Sequence, residues 1–242
     1  MKKLAFGLLS SRMNLLRQSW VRETWGRDCD ITFYSDHSDP KRNVVLVSKA
    51  QHYKSNEEKH INFLNQVAIH LADRYEWIFC GDDDTFVFTK NLNAFLASGL
   101  DPGCVYGKVD SAEENPDNPI FTRVDPALRF PAGGCGYLIS GELVKRLHPF
   151  TNFGHGYSDV SFGLNLREKG IPMVDRRDLF FPQAPEFYHH TAEQQGRAIS
   201  YHYIKTREAF ALLARVAGLG EVRLSERDPV LRKLWIRLTQ RA

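Results

Sequence analysis

The stretch that most constrains this chain runs from Glu76 to Phe88. Trp77, Ile78, Phe79 and Cys80 form a short apolar run, and Gly81 follows it. Asp82, Asp83 and Asp84 come next, and Phe86, Val87 and Phe88 are apolar again. A buried strand running into three carboxylates delivers acidic oxygens to the end of a sheet. Ligands of open α/β sheets sit at the carboxyl ends of their strands. Adjacent carboxylates repel one another unless they are solvated or bound to a cation, and hard divalent ions prefer oxygen ligands. An acidic surface turn would carry the same three letters, but it would not need hydrophobic brackets on both sides. The stretch therefore points to a metal site holding a phosphate-bearing ligand, with Asp82, Asp83 and Asp84 as its candidate residues.

The rest of the chain is compatible with one such sheet. Its 242 residues suffice for one sizeable α/β domain. Apolar residues make up 43% and charged residues 25%, which excludes a disordered chain. A formal charge of +3 is too small to argue for nucleic acid. The four cysteines (Cys29, Cys80, Cys104 and Cys135) contain no CxxC pair, so there is no zinc-ribbon pattern and no disulfide framework. Cys80 reads as a buried thiol, and a disulfide at Cys29 is left open. The apolar part of the N-terminus, Leu4 to Leu9, is shorter than a signal-peptide core and reads as a first strand. No run approaches the roughly 20 apolar residues of a membrane span.

In chain order, the pattern predicts strands over 4–10, 31–34, 44–47, 105–109 and 137–140. It predicts helices over 14–25, 57–74, 92–98, 141–147 and 158–169. In the 57–74 helix, Ile61, Leu64, Ala68 and Leu71 form one apolar stripe. Asp36 follows the second strand, where an aspartate can meet a nucleotide base or ribose or simply close a turn. Residues 130–140 contain Gly133, Gly134 and Gly136 just ahead of Tyr137. Three glycines in four positions let backbone approach a ligand closely. This is neither a Walker loop nor a GxGxxG loop. Ser158 or Asp159 is placed to cap the following helix, which Gly170 stops. Residues 198–204 alternate like a short strand and contain His202.

The Trp77 to Val87 pattern, a tryptophan followed by three aspartates, Thr85, an aromatic and a valine, resembles the β1,3-glycosyltransferases of the fringe and core-1 galactosyltransferase type. Four further stretches are similar to that family in consistent order. Arg17, Arg22, Thr24 and Trp25 resemble its first signature. The glycine loop with Tyr137 resembles the stretch that borders donor sugar and acceptor. Asp159 with Val160, and Ser200 to Tyr203, complete the set. The resemblance spans about residues 3–215.

It implies a GT-A fold: a Rossmann-like α/β domain with a mostly parallel central sheet flanked by helices. It further implies inverting transfer of a hexose from a UDP-sugar to a glycan, glycoprotein or glycolipid hydroxyl, through a β1,3 linkage. Mn²⁺, or Mg²⁺ in its place, would sit on Asp84 and His202. Asp159 would be the general base, although the family often carries a second acid where this chain has Ser158. Lys59 and Arg17 become candidates for the nucleotide or its phosphates, with a solvated lysine as the alternative at Lys59. The competing classes are a non-catalytic sugar-binding relative and a metal-dependent nucleotidyltransferase. The glycine-rich loop that opens the latter is missing after strand one. His189 and His190 fall to structure or to the acceptor side.

The catalytic domain is expected over 1–219 and a basic amphipathic tail over 220–242. Val230, Leu231, Leu234, Trp235 and Leu238 fall on one face of that tail, with Arg232, Lys233, Arg237 and Arg241 beside or opposite it. Such a helix can lie on a membrane, pack on the domain or mediate self-association. Without an anchor or signal peptide, the sequence as written points to the cytoplasm or a membrane periphery. The Golgi lumen would apply to a piece of a longer, anchored protein.

Overall fold

The computed structural model describes residues 2–49, 56–114 and 124–220. The expected tail therefore lies outside the described residues, except for Gly220. The order of elements is β1 (Lys2–Leu9), α1 (Leu15–Glu23), β2 (Ile31–Ser35), β3 (Val44–Leu46), α2 (Asn56–His70), β4 (Tyr75–Asp82), β5 (Phe86–Val87), α3 (Thr89–Ala97), β6 (Val105–Gly107) and β7 (Val109–Ser111). It continues with β8 (Arg129–Pro131), β9 (Tyr137–Ser140), α4 (Gly141–Leu147), α5 (Ser158–Glu168), β10 (Met173–Asp175), β11 (Phe180–Phe181), α6 (Ala192–Arg197), β12 (Ser200–Tyr201) and α7 (Arg207–Val216).

Seven strands form the central sheet in the order β10-β6-β9-β4-β1-β2-β3. All neighbours are parallel except β9, which runs antiparallel to both β4 and β6. The expected mostly parallel sheet flanked by helices is thus the fold. Chain order reverses between β1 and β4, because β2 and β3 lie on the other side of β1. Such a reversal opens a crevice at the carboxyl ends of the strands. The two strands at this switch end on Leu9 and Asp82, which face each other in register.

Two cores cover the two faces of the sheet. Val67, Leu64 and Phe63 of α2 meet Ala5, Ile78, Tyr137 and Phe162 on one side. Phe6, Phe33 and Phe79 meet Trp25, Phe86 and Phe210 on the other. Burial on both faces explains why β4 reads as a continuous apolar run and not as an alternating one. The expected 105–109 strand is two strands on either side of Lys108: β6 pairs with β9 and β10 in the central sheet, and β7 pairs with β8. The helix expected over 57–74 ends earlier, at His70. All four cysteines are free, and Cys80 is buried as expected. No helix among the described residues is long and apolar enough to cross a membrane.

A small sheet, β11-β12-β5, packs beside the carboxyl end of β4. It has two backbone ties to the segment that begins at the last acid. Ile204 N–H donates to the Asp84 carbonyl at 2.9 Å, and Phe88 N–H donates to the Ile199 carbonyl at 2.8 Å. Short strands that alternate in side-chain direction thus bring residues near 200 to the end of β4.

Candidate active site

The three aspartates diverge as soon as β4 ends. Asp83 turns inward and is 2% exposed. Its Oδ2 accepts from the Ser10 hydroxyl at 2.6 Å, and the Gln18 side chain donates to that hydroxyl at 2.8 Å. Its Oδ1 lies 3.2 Å from Arg17 Nη1. Burial pushes the Asp83 carboxyl up to about 6, against the pull of Ser10 and Arg17. Asp82 and Asp84 face the cleft together with His202. His202 Nε2 lies 3.0 Å from Asp84 Oδ1 and 3.6 Å from Asp82 Oδ2.

One donor atom from each of Asp82, Asp84 and His202 lies within 4.8 Å of the others. In an octahedron with bonds near 2.1 Å, neighbouring ligand atoms stand about 3 Å apart. The two measured separations are close to that spacing. Two carboxylates and an imidazole suit Mn²⁺ better than Mg²⁺, which prefers an all-oxygen shell. The residues present therefore fit a divalent ion. Asp82 joins the expected Asp84 and His202, and Asp83 stands behind them as a brace.

The electrostatics separate the members of the cluster. Desolvation in the cleft and the neighbouring acids raise the Asp82 carboxyl above its usual range against the pull of His202, an effect that its 40% exposed side chain moderates. Burial also opposes charge on Asp84, but the His202 bond and the charges of His202, Arg17 and Lys205 outweigh it and hold the group below its usual range. Burial lowers the basicity of His202, yet the bond to Asp84 and the two carboxylate charges raise it overall. The two carboxylates thus favour a proton on His202, and a metal bound at that nitrogen would have to displace it.

Asp159 opens α5 on the far wall of the same cleft. The expected capping role is not what it performs. The N-cap is Tyr157, and no side chain caps this helix end. Instead Asp159 Oδ2 accepts from Gly133 N–H at 3.1 Å, and Oδ1 accepts from the Ser158 hydroxyl at 3.1 Å. Burial raises its pKa, opposed by the Gly133 and Ser158 bonds. The chain ahead of α5 is pinned by buried Glu57 of α2. Glu57 Oε1 accepts from Gly154 N–H at 2.8 Å and His155 N–H at 3.2 Å, and Oε2 accepts from Gly156 N–H.

The glycine loop joins the two walls. A Cβ on Gly133 would stand 2.7 Å from Asp159 Oδ1, and one on Gly134 would stand 2.3 Å from His202 Cε1. The close approach expected of these glycines is to the site's own side chains. Gly136 has φ +84 and would place a Cβ 2.1 Å from Phe79 of β4. The loop is braced by Thr85, whose hydroxyl donates to the Gly134 carbonyl at 2.5 Å, and by Ser200, whose hydroxyl donates to the Cys135 carbonyl at 2.5 Å. Gly134→Ala is expected to displace the His202 ring and weaken Mn²⁺ binding while leaving the central sheet folded. Calorimetric Mn²⁺ titration beside circular dichroism would check this, and unchanged affinity would count against the placement of His202.

The cleft encloses about 390 Å³ and is also lined by His60, Tyr137, Pro182, Tyr203 and Lys205. Tyr137 is buried, and its hydroxyl lies 3.1 Å from His60 Nε2. Burial drives His60 down to about 4, which makes it a neutral ring at ordinary pH. Lys59, the expected neighbour of the nucleotide, is buried in α2 but is not among the residues lining this cleft. His60, one position on, takes that place. Asp36 lies at the end of β2, buried, with Oδ1 accepting from Arg12 N–H at 2.6 Å. Its Oδ2 is buried and has no hydrogen-bond partner among the described residues. From the first signature only Arg17 reaches the acids. Arg22 lies over the Phe33 ring at 4.6 Å, and Trp25 is core.

Sequence reasoning passed over Ser10, Gln18, Glu57, His60, Tyr203 and Lys205. Tyr203 has φ +62, which is strained for a bulky residue, and it sits beside His202 at ring centroids 4.3 Å apart. Lys205 Nζ lies 4.1 Å from the centre of the Tyr203 ring. Only Ser10 had a legible signal, as a polar residue closing the first strand.

The chain is similar to several known proteins. It is 25% identical over 198 residues to glycoprotein-N-acetylgalactosamine 3-beta-galactosyltransferase 1 of Xenopus laevis, covering 76% of this chain and 50% of that protein. It is 26% identical over 193 residues to N-acetyllactosaminide beta-1,3-N-acetylglucosaminyltransferase 2 of Mus musculus, covering 64% of this chain and 48% of that one. The chain thus spans about half the length of these relatives. Among solved structures, the apo WbbM bifunctional glycosyltransferase superposes with a TM-score of 0.52 at 10% identity, covering 88% of this chain and 50% of that one, a likeness of fold. The Fringe-like family model matches residues 9–166. That span runs from the end of β1 through the acidic strand and the glycine loop into α5, and on it the chain belongs to the Fringe-like family.

Proposed function

We propose that this chain is an inverting, metal-dependent glycosyltransferase that moves a hexose from a UDP-sugar to an acceptor hydroxyl through a β1,3 linkage. The observation that carries the reading is the Asp82, Asp84 and His202 cluster at the switch between β1 and β4, with Asp159 in the same cleft. Family membership and the two β1,3-transferase relatives support it. Asp82, Asp84 and His202 would hold Mn²⁺, and the bound ion supplies positive charge beside the diphosphate of the donor. Arg17, already directed at Asp83 and Asp84, adds to that field from the inner side.

Asp159 takes the proton of the acceptor hydroxyl onto a carboxylate oxygen. The acceptor oxygen bonds to the anomeric carbon as the bond from that carbon to UDP breaks, and UDP carries off the electron pair. Gly133 N–H and the Ser158 hydroxyl hold the base in place without neutralising it. One base and one stabilised leaving group suffice for a single displacement with inversion. The acceptor would be a glycan, glycoprotein or glycolipid.

Thermal shift across a UDP-sugar panel with and without Mn²⁺, followed by UDP release, tests the reading. One UDP-sugar should stabilise the chain in Mn²⁺ and much less in chelator. A panel that gives no Mn²⁺-dependent shift would overturn it.

A further inference from the structure

The chain between α4 and α5 has no regular structure of its own, yet it leads into one wall of the candidate active site. Gly156, Tyr157 and Ser158 line the cleft, and Asp159 follows in the first turn of α5. Six backbone N–H groups between 150 and 156 donate to side chains. Phe150 N–H donates to Asn65 Oδ1 of α2 at 2.8 Å, and Thr151 N–H to Asn165 Oδ1 of α5 at 2.8 Å. Phe153 N–H donates to the Ser161 hydroxyl at 3.3 Å. The last three, those of Gly154, His155 and Gly156, converge on the Glu57 carboxylate, and Gly154 N–H also reaches Asn152 Oδ1 at 2.9 Å. Among the described residues none of the six donates to a backbone carbonyl.

Successive N–H groups aimed at one point make a concavity that binds anions. Here the anion is the protein's own. Gly154 and Gly156 take φ +74 and +73, a conformation that glycine adopts without strain. A Cβ on either would meet nothing within 4 Å, so both serve through their backbone angles and not through space. Glu57 is 3% exposed, and a buried carboxylate is costly unless it is hydrogen-bonded in this way. It is absent from the cleft lining, whereas Asn56 and His60 of the same helix are part of it. No side chain caps the first turn of α5, so the hold on this helix start comes from the segment ahead of it.

We infer that Glu57 is a positioning residue for the candidate general base. Its carboxylate fixes 154–156, that segment fixes where α5 begins, and the start of α5 sets how Asp159 meets Gly133 N–H and the cleft. Glu57 acts through the backbone and touches no reacting atom. This inference rests on the reading of Asp159 as the base.

The test compares Glu57→Gln, Gly154→Ala and Asn65→Ala in the full chain. The Gln amide puts a donor where an acceptor is required. Gly154→Ala strains the same turn and leaves the carboxylate in place, so it serves even if Glu57→Gln folds poorly. Asn65→Ala loosens the same segment at its far end, at Phe150. In Glu57→Gln, amide exchange at 154–156 should quicken about tenfold or more, as loss of a charge-assisted bond implies, while β4 exchanges as in wild type. Its kcat for UDP release, with the donor that the thermal-shift panel selects, should fall about 10–100-fold, the effect of a small misplacement of a reacting group. The calorimetric Kd for UDP in Mn²⁺ should not change. Gly154→Ala should show the same pattern more weakly, and Asn65→Ala should keep the wild-type kcat. In the Asp159→Asn background Glu57→Gln should cost no further kcat, because both changes act through one proton acceptor. An equal fall for Asn65→Ala, an undiminished fall in the Asp159→Asn background, or a loss of UDP affinity to match the loss of kcat would overturn the inference. A fully active Asp159→Asn chain would defeat the base reading, whereas an inactive one beside wild-type kcat in Glu57→Gln and Gly154→Ala would defeat this inference alone.

Discussion

Asp84→Ala is expected to abolish metal-dependent UDP binding and nearly all turnover while the fold survives. Asp84 has the shortest link to His202, and it is the carboxylate held most firmly charged. Without it, Asp82 and His202 offer two ligand atoms 3.6 Å apart, a poor seat for a divalent ion. The fold should tolerate the loss, because Arg17 keeps Asp83 and one of several crowded carboxylates is removed. A ligand at 100 times its Kd stabilises the folded state by about 2.7 kcal/mol. In a domain of this size that is worth roughly 5–11 °C in Tm, at about 2–4 °C per kcal/mol. Wild type should show such a rise on adding Mn²⁺ and UDP, and Asp84→Ala should show none. A variant that kept near wild-type turnover and its Mn²⁺ dependence would remove Asp84 from the metal site.

Asp159→Asn is expected to retain donor affinity and lose about 10²–10⁴-fold in kcat, the usual contribution of a general base. An asparagine carbonyl can still accept from Gly133 N–H, so the loop that approaches His202 should not move. Only the capacity to take a proton disappears. Since burial raises the pKa of Asp159, the base is lost by protonation at higher pH than for an ordinary aspartate. The wild-type kcat should therefore fall on acidification, with its midpoint above the usual carboxylate range. Steady-state kinetics with saturating donor would measure both effects. Full activity in the Asn variant would leave Asp159 a mere clamp on the glycine loop, and lost donor binding would make it a donor contact.

The parts of this site that were legible in sequence are those where local pattern and tertiary role coincide. Apolar brackets around Asp82 to Asp84 favoured a strand ending in acid over a surface turn, and β4 does end there. The alternation over 198–204 pointed to a strand, but β12 spans only Ser200–Tyr201, so His202 was legible through its motif and not through its strand. Asp159 looked like a cap because helix starts favour aspartate. Its actual partner, Gly133, is 26 residues away, and no local rule reports such a bond. Lys59 and His60 show how fine the limit is. A helix turns by about 100° per residue, so one position decides which side chain meets the cleft. The Ser10–Gln18–Asp83 chain of hydrogen bonds was invisible for the same reason as Glu57's hold on 154–156: both join segments far apart in sequence.

The small sheet makes one demand that the large one does not. In β12 and the residue after it, Ser200 and His202 serve the glycine loop and the acids, while Tyr201 between them backs the aromatic rings of Phe181, Tyr188 and His190. Side chains two apart share a face, so a slip of one residue exchanges the faces. A single insertion between Ala198 and Ser200 would present the Tyr201 phenol to the acids and leave the Ser200 hydroxyl against the stacked rings. The chain would keep its hydrophobic content, its seven-stranded sheet and nearly its whole sequence. The ion site and the aromatic wall would fail together. In this molecule the spacing through a two-residue strand therefore matters to the site as much as the aspartates themselves.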